Sequence, residues 1–226
     1  MNLARDYNIL WEKSLTKFRL GEFELDPFID SPTDNRFGIT LLLRPDERTK
    51  EKIHQFLQEL MEIEPEQYYY PSSDIHVTIM SVICCYPGFV LENIQVNQYI
   101  SAFKNLVCNM KPIEIEFKGI TASPSCILIQ EFPSNNLNEL RNRIRATFKN
   151  SQYFQSIDKR YSIHTAHCTV ARFKKPVTHK EEFIRRLLDC KNADFGFSKV
   201  EEVELVYNDW YQRKNLVQVL STFKLK

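Results

Sequence analysis

Apolar residues recur along this chain at two spacings, and each spacing marks a different kind of element. In residues 3–20, Leu3, Tyr7, Leu10, Trp11, Leu15 and Phe18 fall on one helical stripe. This predicts an amphipathic helix that ends near Gly21 and packs on the outside of the domain. A connector with Pro27 and Ser31-Pro32 follows. The unbroken run Phe37-Gly38-Ile39-Thr40-Leu41-Leu42-Leu43 predicts a strand from Arg36 to Leu43 that is covered on both faces. Pro45 opens a helix to about Ile63, with Ile53, Phe56, Leu57 and Leu60 on one side. Helical spacing returns at 93–109, 135–149 and 178–190. In the second of these, Leu137, Leu140, Ile144 and Phe148 point inward and Arg141, Arg143 and Arg145 outward. Ile113-Glu114-Ile115-Glu116-Phe117 alternates strictly and pairs through a Ser/Pro turn with Cys126-Ile127-Leu128-Ile129. Residues 200–207 and 216–225 read as a closing hairpin. Helices interleaved with antiparallel strands predict an α+β fold.

Two further strands carry the chemistry. Residues 74–83 and 166–173 each hold His-x-Thr followed by a β-branched residue, as His76-Val77-Thr78-Ile79 and His167-Cys168-Thr169-Val170. Residues two apart on a strand share a face. His76 therefore projects with Thr78 and His167 with Thr169, while Val77, Ile79, Cys168 and Val170 turn to the core. Two imidazoles across a cleft can hold different protonation states near neutral pH, because the free side chain titrates at about 6.5. One removes a proton from a nucleophile and the other protonates a leaving oxygen. In-line displacement at a phosphodiester needs such a pair, since attack and departure occur on opposite sides of phosphorus. The two threonine hydroxyls would hold the non-bridging oxygens. One His-x-Thr is ordinary in a half-buried strand. Two in the same phase, in a chain with five histidines, are not. His54, His164 and His179 read as surface or structural.

The paired motifs resemble those of the 2H (two-histidine) phosphoesterase superfamily, and His167-Cys168-Thr169-Val170-Ala171-Arg172 is close to its His-x-Thr-Leu-Ala-Arg form. The resemblance extends over the order of elements from about Arg36 to the C-terminus. It implies a bilobal fold with a pseudo-twofold axis, in which each lobe lends one motif strand to a central cleft. Residues 36–226 would form that domain, with 1–35 an N-terminal helical extension and connector. It also implies His76 and His167 as the acid/base pair, Thr78 and Thr169 as phosphate ligands, and a nucleotide or RNA-terminal phosphodiester as substrate. The first motif runs into Cys84-Cys85-Tyr86-Pro87-Gly88, where the family usually has a Leu-Gly turn.

Aromatic residues near the motifs have two readings each. Tyr70, at the entry to the first motif strand, and Trp210-Tyr211, in the last connection, are candidate base-stacking residues; packing in a loop is the competing reading. Arg172 is out of phase with His167 and points away from the cleft. Between Arg141 and Lys191, thirteen Lys/Arg stand against four Asp/Glu. That excess suits either a phosphate-rich substrate or solvated helix faces. The whole chain has a net charge of +1, unlike a general nucleic-acid or membrane binder. Its six cysteines show no paired metal spacing, and no run approaches a membrane span. We therefore expect a cytoplasmic, monomeric enzyme with reduced thiols and no metal or cofactor. Two rival classes are a nucleotide sensor without turnover and a sugar-directed acid/base enzyme such as a mutarotase. The second leaves the paired threonines without a purpose.

Overall fold

The computed structural model describes residues 2–159 and 166–226, with the backbone alone for Ala166 and His167. The chain is an α+β protein of two lobes, each built on one antiparallel sheet. The elements run α1 (Leu3–Arg19), β1 (Arg36–Leu43), α2 (Glu47–Ile63), β2 (Tyr68–Tyr69), β3 (Val77–Pro87), α3 (Val96–Val107), β4 (Ile113–Ser123) and β5 (Cys126–Pro133). They continue with α4 (Asn135–Lys149), β6 (Ala166–Arg172), α5 (Lys180–Asp189), β7 (Asp194–Val200), β8 (Glu202–Asp209) and β9 (Gln218–Lys224). One sheet has the order β3-β1-β8-β9 and the other β2-β6-β5-β4-β7. The two strands that carry the motifs, β3 and β6, lie against each other where the sheets meet.

The helices form where the apolar stripes fall. In α2 the Asp46 side chain accepts from the Thr49 amide at 2.8 Å and caps the first turn, while Ile53, Phe56, Leu57 and Leu60 are buried. Helix α1 ends before Gly21, whose φ of +77° suits glycine. It is more than a surface appendage. Trp11, Leu15 and Phe18 join the main core, and Ser14 donates to the Ala122 carbonyl of β4 at 2.7 Å. Gly38 of β1 marks a tight crossing: a Cβ there would fall inside contact distance of the Ile83 carbonyl oxygen and 2.9 Å from the Cys85 amide nitrogen of β3.

Strand β7 escapes the apolar pattern, for a visible reason. Phe195, Ser198 and Val200 are buried while Phe197 is 55% exposed, and Gly196 sits at φ +109° where the pairing with β4 slips. A bulge next to that glycine breaks the alternation, so a serine points in and a phenylalanine out. Arg141 is the second departure. Its charge places it on the outer face of α4 in the sequence reading, yet it is 1% exposed.

Candidate active site

The first motif begins where the chain passes from one sheet to the other. The Tyr70 amide donates to the Val170 carbonyl at 3.0 Å, extending the β2–β6 pairing, and the chain then turns at Pro71–Asp74 into β3. His76 immediately precedes β3. Burial alternates as strand phase requires: Val77 and Ile79 are fully buried, and His76 and Thr78 are partly exposed. In β6, Cys168 and Val170 are fully buried and Thr169 is partly exposed. The His167 backbone pairs with Gln130 and Thr169 with Leu128 on β5. The His167 side chain and all of His164 lie outside the described residues.

Cys168 joins the two motifs. Its thiol faces the backbone of His76, across the line where β6 meets β3. Burial, reinforced by the nearby Glu131 carboxyl, pushes that thiol well above its ordinary pKa, so it stays neutral and packs as an apolar group.

His76 is held in one tautomer. Its Nδ1 lies 2.7 Å from the Asp74 carbonyl oxygen. A carbonyl oxygen only accepts, so Nδ1 carries a proton and Nε2 is the nitrogen that gains or loses one. Asp74 is itself fixed. Its Oδ1 accepts from Ser73 Oγ at 2.7 Å and from the Lys214 amide at 3.1 Å. The connection between β8 and β9 thereby braces the residue that orients the imidazole. The Tyr70 ring packs on the same side, with its centroid 6.5 Å from that of His76.

The expected stacking surface is largely filled. Tyr70 is 2% exposed, and its hydroxyl accepts from Arg172 Nε at 2.9 Å. Tyr211 is fully buried; its hydroxyl accepts from Arg36 Nη2 and donates to Asp26 Oδ1, both at 3.0 Å. The guanidinium of Arg213 stands 4.5 Å from the Tyr211 ring centre and that of Arg172 5.7 Å. Neither tyrosine presents a face to solvent. Trp210 keeps partial exposure, with the Arg36 guanidinium 4.8 Å from its ring centre. Strand β6 bulges at Val170, so the phase counted from His167 does not carry through to Arg172; its guanidinium bonds the hydroxyl of Tyr70, whose ring centre is 6.5 Å from that of His76. The basic stretch is also substantially paired. Arg145 binds Asp158 at 2.6 Å, Lys174 binds Asp30, Lys175 binds Glu66, and Arg186 lies 3.6 Å from Glu59.

Three residues that motif reading passes over support the site from beneath. They are Asp74, Arg141 and Glu131. Arg141 was legible: Leu137, Arg141, Ile144 and Phe148 share one helical stripe, and only its charge argues it outward against its phase. Its Nε donates to the Ile79 carbonyl at 2.9 Å and its Nη2 to the Thr78 carbonyl at 3.0 Å. Burial draws the guanidinium down to about 10, with Glu131 opposing. Glu131 is fully buried on β5, and neither carboxyl oxygen has a hydrogen-bond partner among the described residues. Desolvation holds that carboxyl well above the usual carboxylate range, against the pull of Arg141.

That burial predicts a pH dependence. The folded protein keeps a proton on Glu131 that the unfolded chain releases above about 4.3, so this group's contribution to stability is lost as pH rises. Among the described residues, Arg141 on α4, Tyr7 on α1 and Cys168 on β6 are the titratable groups around it. Glu131→Gln does not titrate. Its stability relative to wild type should therefore rise as pH increases above about 4.3, by up to about 1.4 kcal/mol per pH unit. A difference that is flat with pH, read by thermal unfolding, would refute the raised carboxyl.

Residues 39–224 match the family model of the AKAP7 2'5' RNA ligase-like domain. No curated protein matches the chain by sequence. Solved structures share the fold at low identity. TT0787 of Thermus thermophilus is 16% identical with a TM-score of 0.60, over 83% of this chain and 97% of that one. E. coli LigT complexed with 3'-AMP is 12% identical with a TM-score of 0.54, over 84% of this chain and 99% of that one. LigT complexed with NADP+ gives 13% and 0.56, over 85% and 99%. Among the described residues no helix is long and apolar enough to cross a membrane.

Proposed function

Because this chain belongs to the AKAP7 2'5' RNA ligase-like domain family, within the 2H phosphoesterase superfamily, we propose that it is a metal-independent phosphodiesterase. Its substrate is a cyclic phosphate or a nucleotide-derived phosphodiester: a 2',3'-cyclic phosphate, a 2'-5' linkage or a cyclic nucleotide. One observation carries the reading. Two His-x-Thr segments meet at the junction of the sheets, their alternate residues buried and Thr78, Thr169 and His76 partly exposed.

In this mechanism one histidine takes the proton from water or a ribose hydroxyl, and the other gives a proton to the departing oxygen. His76 acts through Nε2, since Nδ1–H is committed to Asp74. The hydroxyls of Thr78 and Thr169 donate to the non-bridging oxygens and hold phosphorus in line. Protons and hydroxyls thus meet the developing charge. The 3'-AMP in E. coli LigT supports a nucleotide or RNA-terminal ligand, and the net charge of +1 favours a small nucleotide over long RNA. Of the three aromatic candidates, Trp210 is the one that keeps some exposure to meet a base. The catalytic unit is residues 36–226, acting as a monomer in the cytoplasm, where its thiols stay reduced.

The test is hydrolysis, in the presence of chelator, of a panel: 2',3'-cyclic mononucleotides, RNA ending in a 2',3'-cyclic phosphate, 2'-5' oligoadenylate and cyclic dinucleotides. Turnover of at least one member is expected. No turnover with tight nucleotide binding would replace the enzyme by a sensor.

A further inference from the structure

The first motif ends on a bulge. Leu42 of β1 pairs with Thr78 and Leu41 pairs with Met80, so Ile79 has no opposite residue. Successive carbonyls on a regular strand point to opposite edges. Here the carbonyls of Thr78 and Ile79 both reach one guanidinium, that of Arg141, at 3.0 and 2.9 Å. Strand β3 is the edge of its sheet, so among the described residues no strand pairs with this side of its backbone, and helix α4 supplies the donor instead. Bulges re-aim side chains, and this one follows directly on the threonine that the proposed mechanism sets against the phosphate.

We propose that Arg141 is a positioning residue of the first motif, holding the Ile79 bulge through two backbone carbonyls and thereby aiming the Thr78 hydroxyl into the cleft. The assignment rests on the functional reading of Thr78. Arg141 is an expensive way to fill a core position. A buried cation carries a desolvation penalty that an apolar side chain of the same volume avoids. It is 1% exposed, and among the described residues its Nη1 has no hydrogen-bond partner and neither do the carboxyl oxygens of nearby Glu131. Its bonds go to the motif strand. A lysine at this position replaces the rigid fork by a point charge on a flexible stem, which does not fix the two carbonyls in one geometry.

The experiment is a double-mutant cycle between Arg141→Met and Thr78→Val, with Arg141→Lys as the conservative variant, read as kcat on the best panel substrate well below each melting temperature. Arg141→Met should lower kcat by roughly 10- to 100-fold, as displaced groups do, and Arg141→Lys should recover part of that loss. Thr78→Val should cost much less on the Arg141→Met background than in wild type, because its hydroxyl is already misdirected. Independent, multiplicative losses would make Arg141 a structural residue and overturn the proposal. A second readout does not depend on turnover: the carbonyl carbon shifts of Thr78 and Ile79 in labelled Arg141→Lys protein. Both should move, and shifts matching wild type would overturn the proposal even if Arg141→Met fails to fold. Wild-type protein inert on the whole panel would instead defeat the functional reading, leaving the carbonyl shifts to decide whether Arg141 holds the bulge.

Discussion

His76→Ala is expected to lower kcat on the cleaved phosphodiester by roughly 10²- to 10⁴-fold, the usual contribution of one general acid or base. The tautomer is the reason. The Asp74 carbonyl, 2.7 Å from Nδ1, fixes the ring and leaves Nε2 to exchange the proton. Alanine removes that nitrogen while Val77 and Ile79, both fully buried, keep the strand in place. The loss should therefore appear in kcat with little change in melting temperature. The pH–rate profile should lose the limb that His76 contributes. A variant that keeps its rate, or loses it only by unfolding, would remove His76 from the chemistry.

Tyr211→Ala has the largest expected effect on stability, about 3–5 kcal/mol, the range for truncating a buried aromatic residue. The ring is fully buried among the guanidiniums of Arg36, Arg172 and Arg213, and its hydroxyl links Arg36 to Asp26. Removal leaves a cavity lined with charge and frees the connector at Asp26 from the loop after β8. Tyr211→Phe keeps the ring and loses only the hydroxyl, for about 1–3 kcal/mol. Chemical denaturation of both variants measures this. A base-stacking residue would behave in the opposite way, with KM raised and stability unchanged.

The two tyrosines show where reading the chain stops. Tyr70 and Tyr211 sit in segments that look like loops, and an aromatic residue in a loop is ambiguous between surface and interior. What buries them is contributed from far along the chain: Arg172 to Tyr70, and Arg36 with Asp26 to Tyr211. No local spacing records such partners. Phase, by contrast, was legible. It separated His76 and Thr78 from Val77 and Ile79, but the bulge at Val170 interrupts it before Arg172. The bounds of β1 and α4 also followed from their apolar runs. Where phase and charge disagreed, at Arg141, phase was the better guide, because carbonyl oxygens of β3 were waiting in the core to accept from it. The pattern failed at β7, where a glycine bulge inverts it. Helix α1 was visible as a helix, but its docking on β4 was not. That docking depends on Ser14 and Tyr7 meeting backbone groups of the second sheet.

The proposed chemistry requires that two histidines on two strands act as one acid/base pair. The most direct measurement compares turnover by wild type, His76→Ala, His167→Ala and the double variant on one panel substrate in chelator. Each single variant should lose nearly as much activity as the double, because residues that act as a unit are strongly non-additive. A single variant that turns over at the wild-type rate would contradict the pairing.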